Sequence, residues 1–223
     1  MYLTSIALKE AQTPEERFHL AYTIQKNRRR YGDTGNEQNV HRMICDMAGG
    51  TKRRNQNLLY RKLDKDANYL YVQSDCHLDA STVNALGYVI QKEWDMADVL
   101  AKVNNGTYVK ITAKYAPTVD VCGKKRSIRN PDERGQWLMR RMSDAGLKVL
   151  GWEEQMEDHI VFDHQTKYVG REKSQFVNGF VYRIHAKVTD AVRFAQAVQV
   201  GIGRGKAYGC GMTIFQPVLP EGE

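Results

Sequence analysis

Near its C-terminus the chain contains a segment, GIGRGKAYGCGM (201–212), that combines five glycines with two bases. Glycine loses much backbone entropy on folding, so clustered glycines indicate positive φ angles or a close approach to the backbone. Backbone N–H groups in such a segment attract anions, and Arg204 and Lys206 add positive charge. The sequence therefore predicts a phosphate contact here, with Gly203 and Gly205 leaving room for the phosphate. The alternative is that both basic side chains are simply solvated.

The charge of the whole chain also favours an anionic partner. The formal net charge is +7 and the isoelectric point is near 9.2. Basic residues are clustered without an intervening acid at 26–30, 52–54 and 124–129. Protein surfaces that only need to be soluble usually mix the two signs. A polyanion such as a nucleic acid is therefore the expected partner.

Several classes of protein are disfavoured. No stretch approaches the roughly 18 apolar residues of a membrane span. The opening residues, MYLTSIALKE, lack the basic and long apolar regions of a secretion signal and are typical of a strand. The four cysteines are scattered without a C-x-x-C pair, which argues against a zinc site and a disulfide scaffold. We expect a cytoplasmic protein with free thiols, no membrane association, no metal and no cofactor.

Hydrophobic periodicity, helix caps and turn residues predict a similar series of elements in both halves. The N-terminal half contains predicted strands at 2–8, 58–64, 69–75 and 106–119 and helices at 13–30 and 40–50, while 81–96 is ambiguous. The C-terminal half contains predicted helices at 130–147 and 189–201 and strands at 159–163, within 167–188 and at 212–218. We interpret both halves as carrying a strand, a helix and two strands, together with further elements. The predicted fold is α+β, with two tandem ferredoxin-like (RRM-like) halves packed together, 1–119 and 120–223.

Five stretches, taken in order, carry a resemblance to a known family. They are MYLTSIAL, NVHRMI, YVQSD, KITAKYAPTV followed by GKKRSIRNP, and GIGRGKAYGCGM. The last is similar to a signature that reads G-I-G-x-x-K-x-x-G-C-G-L. Together they resemble the CRISPR repeat-RNA endoribonucleases of the CasE type, the crRNA-processing subunit of Cascade. The resemblance spans most of the chain except about 11–38, which looks like an insertion.

This resemblance implies a metal-independent endoribonuclease that cuts CRISPR repeat RNA at the base of its stem-loop. The RNA's own 2′-hydroxyl attacks the scissile phosphate and leaves a 2′,3′-cyclic phosphate and a 5′-hydroxyl. The enzyme then stays on the 3′ stem-loop of the crRNA as a subunit of a Cascade-like effector complex, beside its backbone subunit. The sequence does not give the repeat or distinguish a type I-E from a type IV complex.

The resemblance places the catalytic histidine at His41, in NVHRMI. A histidine suits the reaction because an imidazole exchanges protons near neutral pH. His19, in the preceding helix, is the second choice. The family commonly has a tyrosine three residues before its histidine, where this chain has Gln38. Tyr31 or another aromatic residue is expected to substitute, or the helper is missing.

The resemblance also assigns basic residues to the RNA. A-form stems are recognised largely through shape and phosphate contacts. Predicted backbone contacts are made by Lys124, Lys125, Arg126 and Arg129. Lys167, Arg171 and Lys173 are predicted to lie on a basic hairpin that enters a groove of the stem, and Lys167 also to stabilise charge on the scissile phosphate. From the residues alone, that hairpin is a charged turn in solvent.

Three other functions compete with this prediction. A non-catalytic cap on the crRNA hairpin is favoured by Gln38. A single-stranded RNA binder of the RRM type needs the aromatic RNP pattern, which the sequence lacks. A metal-dependent nuclease needs a cluster of acids, and the clustered charges here are positive.

Overall fold

The computed structural model describes residues 1–34, 36–50, 57–63, 67–162 and 175–218. The chain divides into two compact units. Unit 1 comprises Met1–Met96 together with Ala207–Gly209, and unit 2 comprises Ala97–Lys206 together with Cys210–Glu223. The boundary predicted from the sequence, at 119/120, lies within unit 2.

Unit 1 is a sheet with helices on the connections. In chain order its elements are β1 (Tyr2–Leu8), α1 (Pro14–Tyr31), α2 (Glu37–Met47), β2 (Leu59–Lys62), β3 (Tyr69–Ser74), α3 (Ala80–Ala85) and β4 (Tyr88–Asp95). The strand order is β2-β3-β1-β4, and the neighbouring strands are antiparallel. This order is that of a ferredoxin-like fold, with β1 and β3 at the centre.

Unit 2 repeats this order with a different set of connections. After α4 (Met96–Leu100), its elements are β5 (Tyr108–Tyr115), β6 (Thr118–Val121), β7 (Lys124–Ser127), α5 (Pro131–Asp144), β8 (Leu147–Phe162), β9 (Gln175–Val188), α6 (Ala191–Val200) and β10 (Thr213–Val218). The main sheet runs β10-β5-β9-β8, and β6 and β7 form a separate hairpin. The predicted α+β fold of two ferredoxin-like halves is therefore confirmed.

Local signals explain where the helices begin. Thr13 caps α1 in a capping box with Glu16, and Pro14 occupies its first position. Asn36 caps α2, and Asn130 caps α5 with its side chain. A cap satisfies backbone N–H groups that have no partner within the helix, and each is typically worth about 1 kcal/mol.

The core of unit 1 lies between α2 and the sheet. On α2, Val40, Met43, Ile44 and Met47 follow helical spacing, and all are buried. They pack in one cluster with sheet residues that include Ile6. Burial of each such side chain contributes about 1.5–3 kcal/mol, so the hydrophobic face of α2 fixes which side of the helix remains accessible.

Three segments differ in the structure from the strands and helices that the sequence predicts. The segment 106–119 is a strand, β5, but it pairs with β9 and β10 rather than with the N-terminal half. The strand predicted at 159–163 is the end of β8, which begins at Leu147; register shifts at 149/151 and 154/156 interrupt the alternation that the prediction relied on. The ambiguous segment 81–96 divides into α3 and β4.

Among the described helices, none combines the length and the hydrophobicity needed to cross a membrane.

Candidate active site

His41 lies on the first half of α2, one helical turn after Glu37 and one before Cys45. The side chain is half-buried at the edge of the helix's apolar face. Its Nε2 lies 3.7 Å from the Cys45 sulfur, a contact that the four-residue spacing on one helix face allows. The structure thus holds the imidazole at a defined position, with its Nδ1 buried.

Tyr60, on β2, supports the histidine ring. The two ring centroids are 6.2 Å apart and the planes are inclined by 21°. The Tyr60 hydroxyl donates to the Glu37 carboxylate at 2.8 Å, and it also lies 2.8 Å from the Glu37 carbonyl oxygen and 3.2 Å from that of Ala207. Tyr60 itself is fully buried, so its ring position is set by packing.

A buried ion pair completes this cluster. Lys62 Nζ lies 3.4 Å from Glu37 Oε1, and the two side chains are only 11% and 7% exposed. A buried carboxylate is costly unless cations and hydrogen-bond donors surround it, and here Lys62 and Tyr60 supply both. We call Glu37, Tyr60 and Lys62 the support cluster of His41.

The part of the glycine-rich segment that belongs to unit 1 packs directly on the support cluster. Gly209 has φ +72°, and a β-carbon there would lie 3.2 Å from Glu37 Oε2 and 3.4 Å from a Tyr60 ring carbon. Both the backbone angle and the space therefore require glycine. Tyr60 consequently contacts both the catalytic candidate and residues 207–209.

The rest of the glycine-rich segment folds back on itself within unit 2. The Ile202 amide donates to the Gly211 carbonyl at 2.9 Å, and the Cys210 amide to the Gly205 carbonyl at 3.2 Å. A β-carbon on Gly205 would lie 3.2 Å from that of Cys210, and one on Gly203 would lie 3.2 Å from the Trp137 ring. The packing of the chain itself thus accounts for these two glycines, and their contact with phosphate stays a prediction.

The basic residues predicted at 124–129 lie mostly on the β6–β7 hairpin, where the sequence indicated a loop. Lys124, Arg126 and Arg129 are exposed. Lys125 is also exposed, but its ammonium lies 2.6 Å from the Asp120 carboxylate. The hydrogen bond from Lys125 lowers the pKa of Asp120, assisted by the Gly123 amide and, at longer range, by the positive charge of Arg204. The charges of Lys125 and Arg204 thus act on the same carboxylate, which the sequence did not predict.

The other candidates are distributed as follows. Arg204 is exposed, and Lys206, half-buried, begins a 3-10 helix (Lys206–Tyr208). His19 projects from α1, 3.8 Å from Glu15, and is largely exposed. Lys167, Arg171 and Lys173 lie outside the described residues.

Tyr31, which the sequence offers in place of the family's tyrosine, contacts a different residue of α2. Its hydroxyl donates to Asp46 at 2.6 Å. Burial, together with the hydrogen bond to Asp46 and its charge, raises the pKa of Tyr31 to about 12. This hydroxyl holds its proton firmly, and the aromatic ring stacked on His41 is that of Tyr60.

Sequence reasoning missed the support cluster and Cys45. The spacing of Glu37 and Cys45, four residues on either side of His41, was a usable signal for two of these residues. Tyr60 and Lys62 come from a strand about 20 positions later, and no local pattern links them to His41.

A family model described as "CRISPR associated protein" matches residues 1–217 of this chain. The chain belongs to the family of CRISPR-associated proteins. The family predicted from the five sequence motifs is thus confirmed.

A curated relative, the CRISPR-associated endoribonuclease Cse3 of Thermus thermophilus, is 25% identical over 115 residues. The alignment covers 48% of this chain and 54% of the relative, so it spans about half the length of each.

Solved structures match over nearly the whole chain. A structure of the CRISPR endoribonuclease Cse3 bound to a 19-nucleotide RNA has a TM-score of 0.76 at 18% identity and covers 97% of this chain and 100% of its own. A chain of a CRISPR RNA-guided surveillance complex has a TM-score of 0.65 at 19% identity, with 98% and 100% covered. At these identities the likeness establishes the fold.

No group of three or more His, Cys, Asp and Glu side chains able to hold a metal ion occurs in the part of the chain that the structure describes.

Proposed function

We propose that this protein is an endoribonuclease that cuts CRISPR repeat RNA at the base of its stem-loop, with His41 as a catalytic residue. The observation that carries the proposal is the placement of His41: this half-buried residue stacks on Tyr60, which also contacts residues 207–209 of the glycine-rich segment. Membership of the CRISPR-associated family and the name of the Cse3 relative support the same activity.

The reaction that suits this site is an internal transfer within the RNA. The 2′-hydroxyl attacks the neighbouring phosphorus, a 2′-O–P bond forms and the bond from phosphorus to the 5′-oxygen breaks. One proton leaves the 2′-hydroxyl and another reaches the departing 5′-oxygen, and His41 moves one of them. The products are a 2′,3′-cyclic phosphate and a 5′-hydroxyl, and no metal or cofactor takes part.

The support cluster keeps the imidazole in place for this transfer. Proton transfer requires the heavy atoms to approach to about 2.6–3.2 Å, so a small displacement of α2 would slow the reaction. Glu37 holds Tyr60 and Lys62 around the start of α2, and Tyr60 fixes the plane of His41. We assign these three residues a positioning role.

Binding of the product is part of the proposal. The exposed bases of the β6–β7 hairpin and Arg204 are suited to phosphates of the stem, and Lys167, Arg171 and Lys173 remain predicted contacts. We propose that the protein stays on the 3′ hairpin of the crRNA and joins a Cascade-like complex beside its backbone subunit. The structural likeness to a chain of an RNA-guided surveillance complex supports this step.

A second candidate is a cap that binds the hairpin without cutting it. The observation that favours it is Gln38, which lies one turn before His41 where the family commonly has tyrosine. Tyr60 provides an aromatic contact to the imidazole, but its hydroxyl is engaged with Glu37 rather than directed at a substrate.

One assay distinguishes the two candidates. RNA carrying the repeat of the CRISPR array beside the gene is end-labelled and incubated with the protein in excess EDTA. We expect cleavage at the base of the stem, a cyclic phosphate on the upstream product, and no cleavage when the nucleotide before the cut is 2′-deoxy. Binding without cleavage would identify the cap, and a strict requirement for Mg²⁺ would contradict the mechanism.

A further inference from the structure

One face of the unit 2 sheet carries a cluster of bases that the proposed active site does not use. Antiparallel strands place alternate side chains on opposite faces. On β9, Ile184 and Ala186 are buried, whereas Arg183 and His185 between and beside them are exposed. The second face is therefore open and polar.

The register of the strands shows which side chains are neighbours on this open face. Lys110 of β5 stands opposite His185, which in turn stands opposite Gly151 of β8. The row on one side pairs Tyr108 with Lys187 and Lys187 with Lys148, and the row on the other side pairs Arg183 with Glu153. We call this set the basic sheet face: Tyr108, Lys110, Lys148, Glu153, Arg183, His185 and Lys187.

The charge of the basic sheet face is biased to one sign. Among its described side chains, four are permanent cations and one is a histidine, against the single carboxylate of Glu153. Lys187 extends over the Tyr108 ring, with its Nζ 5.3 Å from the ring centroid. Residues two apart on β9 are spaced by about 6.8 Å, so Arg183, His185 and Lys187 form a basic line along this strand.

Gly151 provides an independent observation. Glycine weakens the interior of a strand and often marks a β-bulge or a place where a ligand approaches the backbone closely, and Gly151 lies directly after the register shift of β8 at 149/151. Gly151 is not among the glycines with positive φ, and a β-carbon added to it would meet nothing within 4 Å. Neither the backbone angle nor the packing therefore requires glycine at this position.

A groove lies at the same place. It has a volume of about 520 Å³ and is lined by Leu150, Gly151, Trp152, Glu153, Arg183 and His185. The absence of a side chain at Gly151 keeps it open. Arg183, His185 and Glu153 offer donors and an acceptor to the edge of a flat polar group.

We propose that the basic sheet face binds single-stranded RNA, with one nucleotide in the groove over Gly151 and phosphates along the line of cations. The proposal rests on the proposed function in that the RNA is the unpaired strand next to the bound hairpin. Grooves that hold single strands without sequence preference combine a positive track with flat contacts for bases. A protein partner would favour fewer charged side chains at the centre of its interface than this face offers, because charged residues and lysine in particular are depleted there.

The test measures what an unpaired strand adds to binding. Three probes are titrated at several salt concentrations: the repeat hairpin alone, the hairpin with about ten unpaired nucleotides, and the unpaired segment alone at low salt. We expect the unpaired nucleotides to tighten binding by the wild type. In Lys110→Ala/Arg183→Ala, this gain disappears, and the log–log salt slope for the extended probe falls by about 1.4, or about 0.7 for each phosphate that is no longer neutralised.

Two further variants test whether the effect comes from this face rather than from loss of positive charge anywhere on unit 2. Lys102→Ala/Arg140→Ala removes the same charge from two exposed residues of unit 2 outside this face, and the extended probe should keep its gain. Gly151→Thr removes no charge and has room for its β-carbon, so the protein should fold with an unchanged or higher melting temperature. It should nevertheless bind the extended probe, the hairpin with unpaired nucleotides, less tightly. The log–log salt slope of this binding should not change, because no charge is lost.

Each outcome has a definite meaning. If the wild type binds and cuts the hairpin but gains nothing from unpaired nucleotides, the basic sheet face is not an RNA site while the proposed function stands. If the hairpin is not bound but the unpaired segment is, and Lys110→Ala/Arg183→Ala removes that binding, the face is an RNA site and the proposed function fails. If the variants bind all RNAs normally but no longer assemble with effector subunits, the face binds protein and the inference is wrong.

Discussion

In both units a helix is tied to the second strand of its sheet by an ion pair, but the two pairs differ in sign and geometry. In unit 1 the helix supplies Glu37 and the strand supplies Lys62, at a single contact of 3.4 Å. In unit 2 the helix supplies Arg134 and the strand supplies Glu154, with two parallel contacts of 2.9 and 2.5 Å.

The surroundings of the pairs differ as well. The Arg134 guanidinium lies 4.1 Å from the centroid of the Phe180 ring and also donates to the Arg129 carbonyl. The bidentate geometry and the Phe180 ring restrict the Arg134–Glu154 pair to one arrangement, which favours a structural role. The Glu37 carboxylate instead engages Tyr60, which contacts His41. The helix–strand ion pair thus favours a structural role in unit 2, whereas in unit 1 we assign it a role in positioning His41.

The largest expected effect tests whether chemistry resides in unit 1. His41→Ala should slow single-turnover cleavage of repeat RNA by about 10²–10⁴-fold because one proton transfer loses its catalyst. Hairpin affinity should change little. His19→Ala is the matched control and should cleave normally; a loss of activity in His19→Ala alone would transfer the role to His19.

Breaking the unit 2 pair should mainly affect stability. Glu154→Ala leaves the buried Arg134 guanidinium without its carboxylate, and removal of one partner from a buried pair costs about 3–5 kcal/mol. The midpoint of urea unfolding should fall accordingly, while the cleavage rate at temperatures where the variant is folded should stay near that of the wild type. An unchanged midpoint would contradict the structural role of this pair.

A change in the unit 1 support cluster should instead reduce the cleavage rate. Tyr60→Phe keeps the ring beside His41 but removes the hydroxyl that donates to Glu37, a loss worth about 1–3 kcal/mol for a buried group. We expect slower cleavage with hairpin affinity largely kept, because α2 is held less firmly.

Tyr182→Phe is the counterpart in unit 2. Burial, together with the nearby Glu154 carboxylate, raises the pKa of the Tyr182 hydroxyl. Its removal should leave the cleavage rate unchanged. Equal rates in Tyr60→Phe and wild type would show that the support cluster does not position His41.

The smallest expected effect concerns the glycine-rich segment. Arg204→Ala/Lys206→Ala should weaken hairpin binding and lower its log–log salt slope by about 0.7–0.9 for each phosphate that the variant no longer neutralises. Titrations at several salt concentrations, with Lys102→Ala/Arg140→Ala as a charge-matched control, measure this. An unchanged slope would mean that the segment serves only the internal packing seen at Gly205 and Gly209.

The sequence alone determined the features that depend on neighbouring residues. Thr13 and Asn130 mark helix starts through hydrogen bonds to backbone groups only two or three positions away. The glycine-rich segment and NVHRMI indicated the family, because the spacing within each motif is fixed along the chain. The family in turn implied the fold and the predicted catalytic role of His41.

Tertiary structure decided which distant residues meet. The partners of β5 lie about 70 and 100 positions further along the chain, so the sequence could not show that it belongs to unit 2. The sequence predicted only the end of β8, because bulges interrupt the alternation of apolar and polar residues along this strand. The contact of Tyr60 with His41 and the basic sheet face each require strands to be paired in one register, and register is set by packing and hydrogen bonding across the whole sheet rather than by any local pattern.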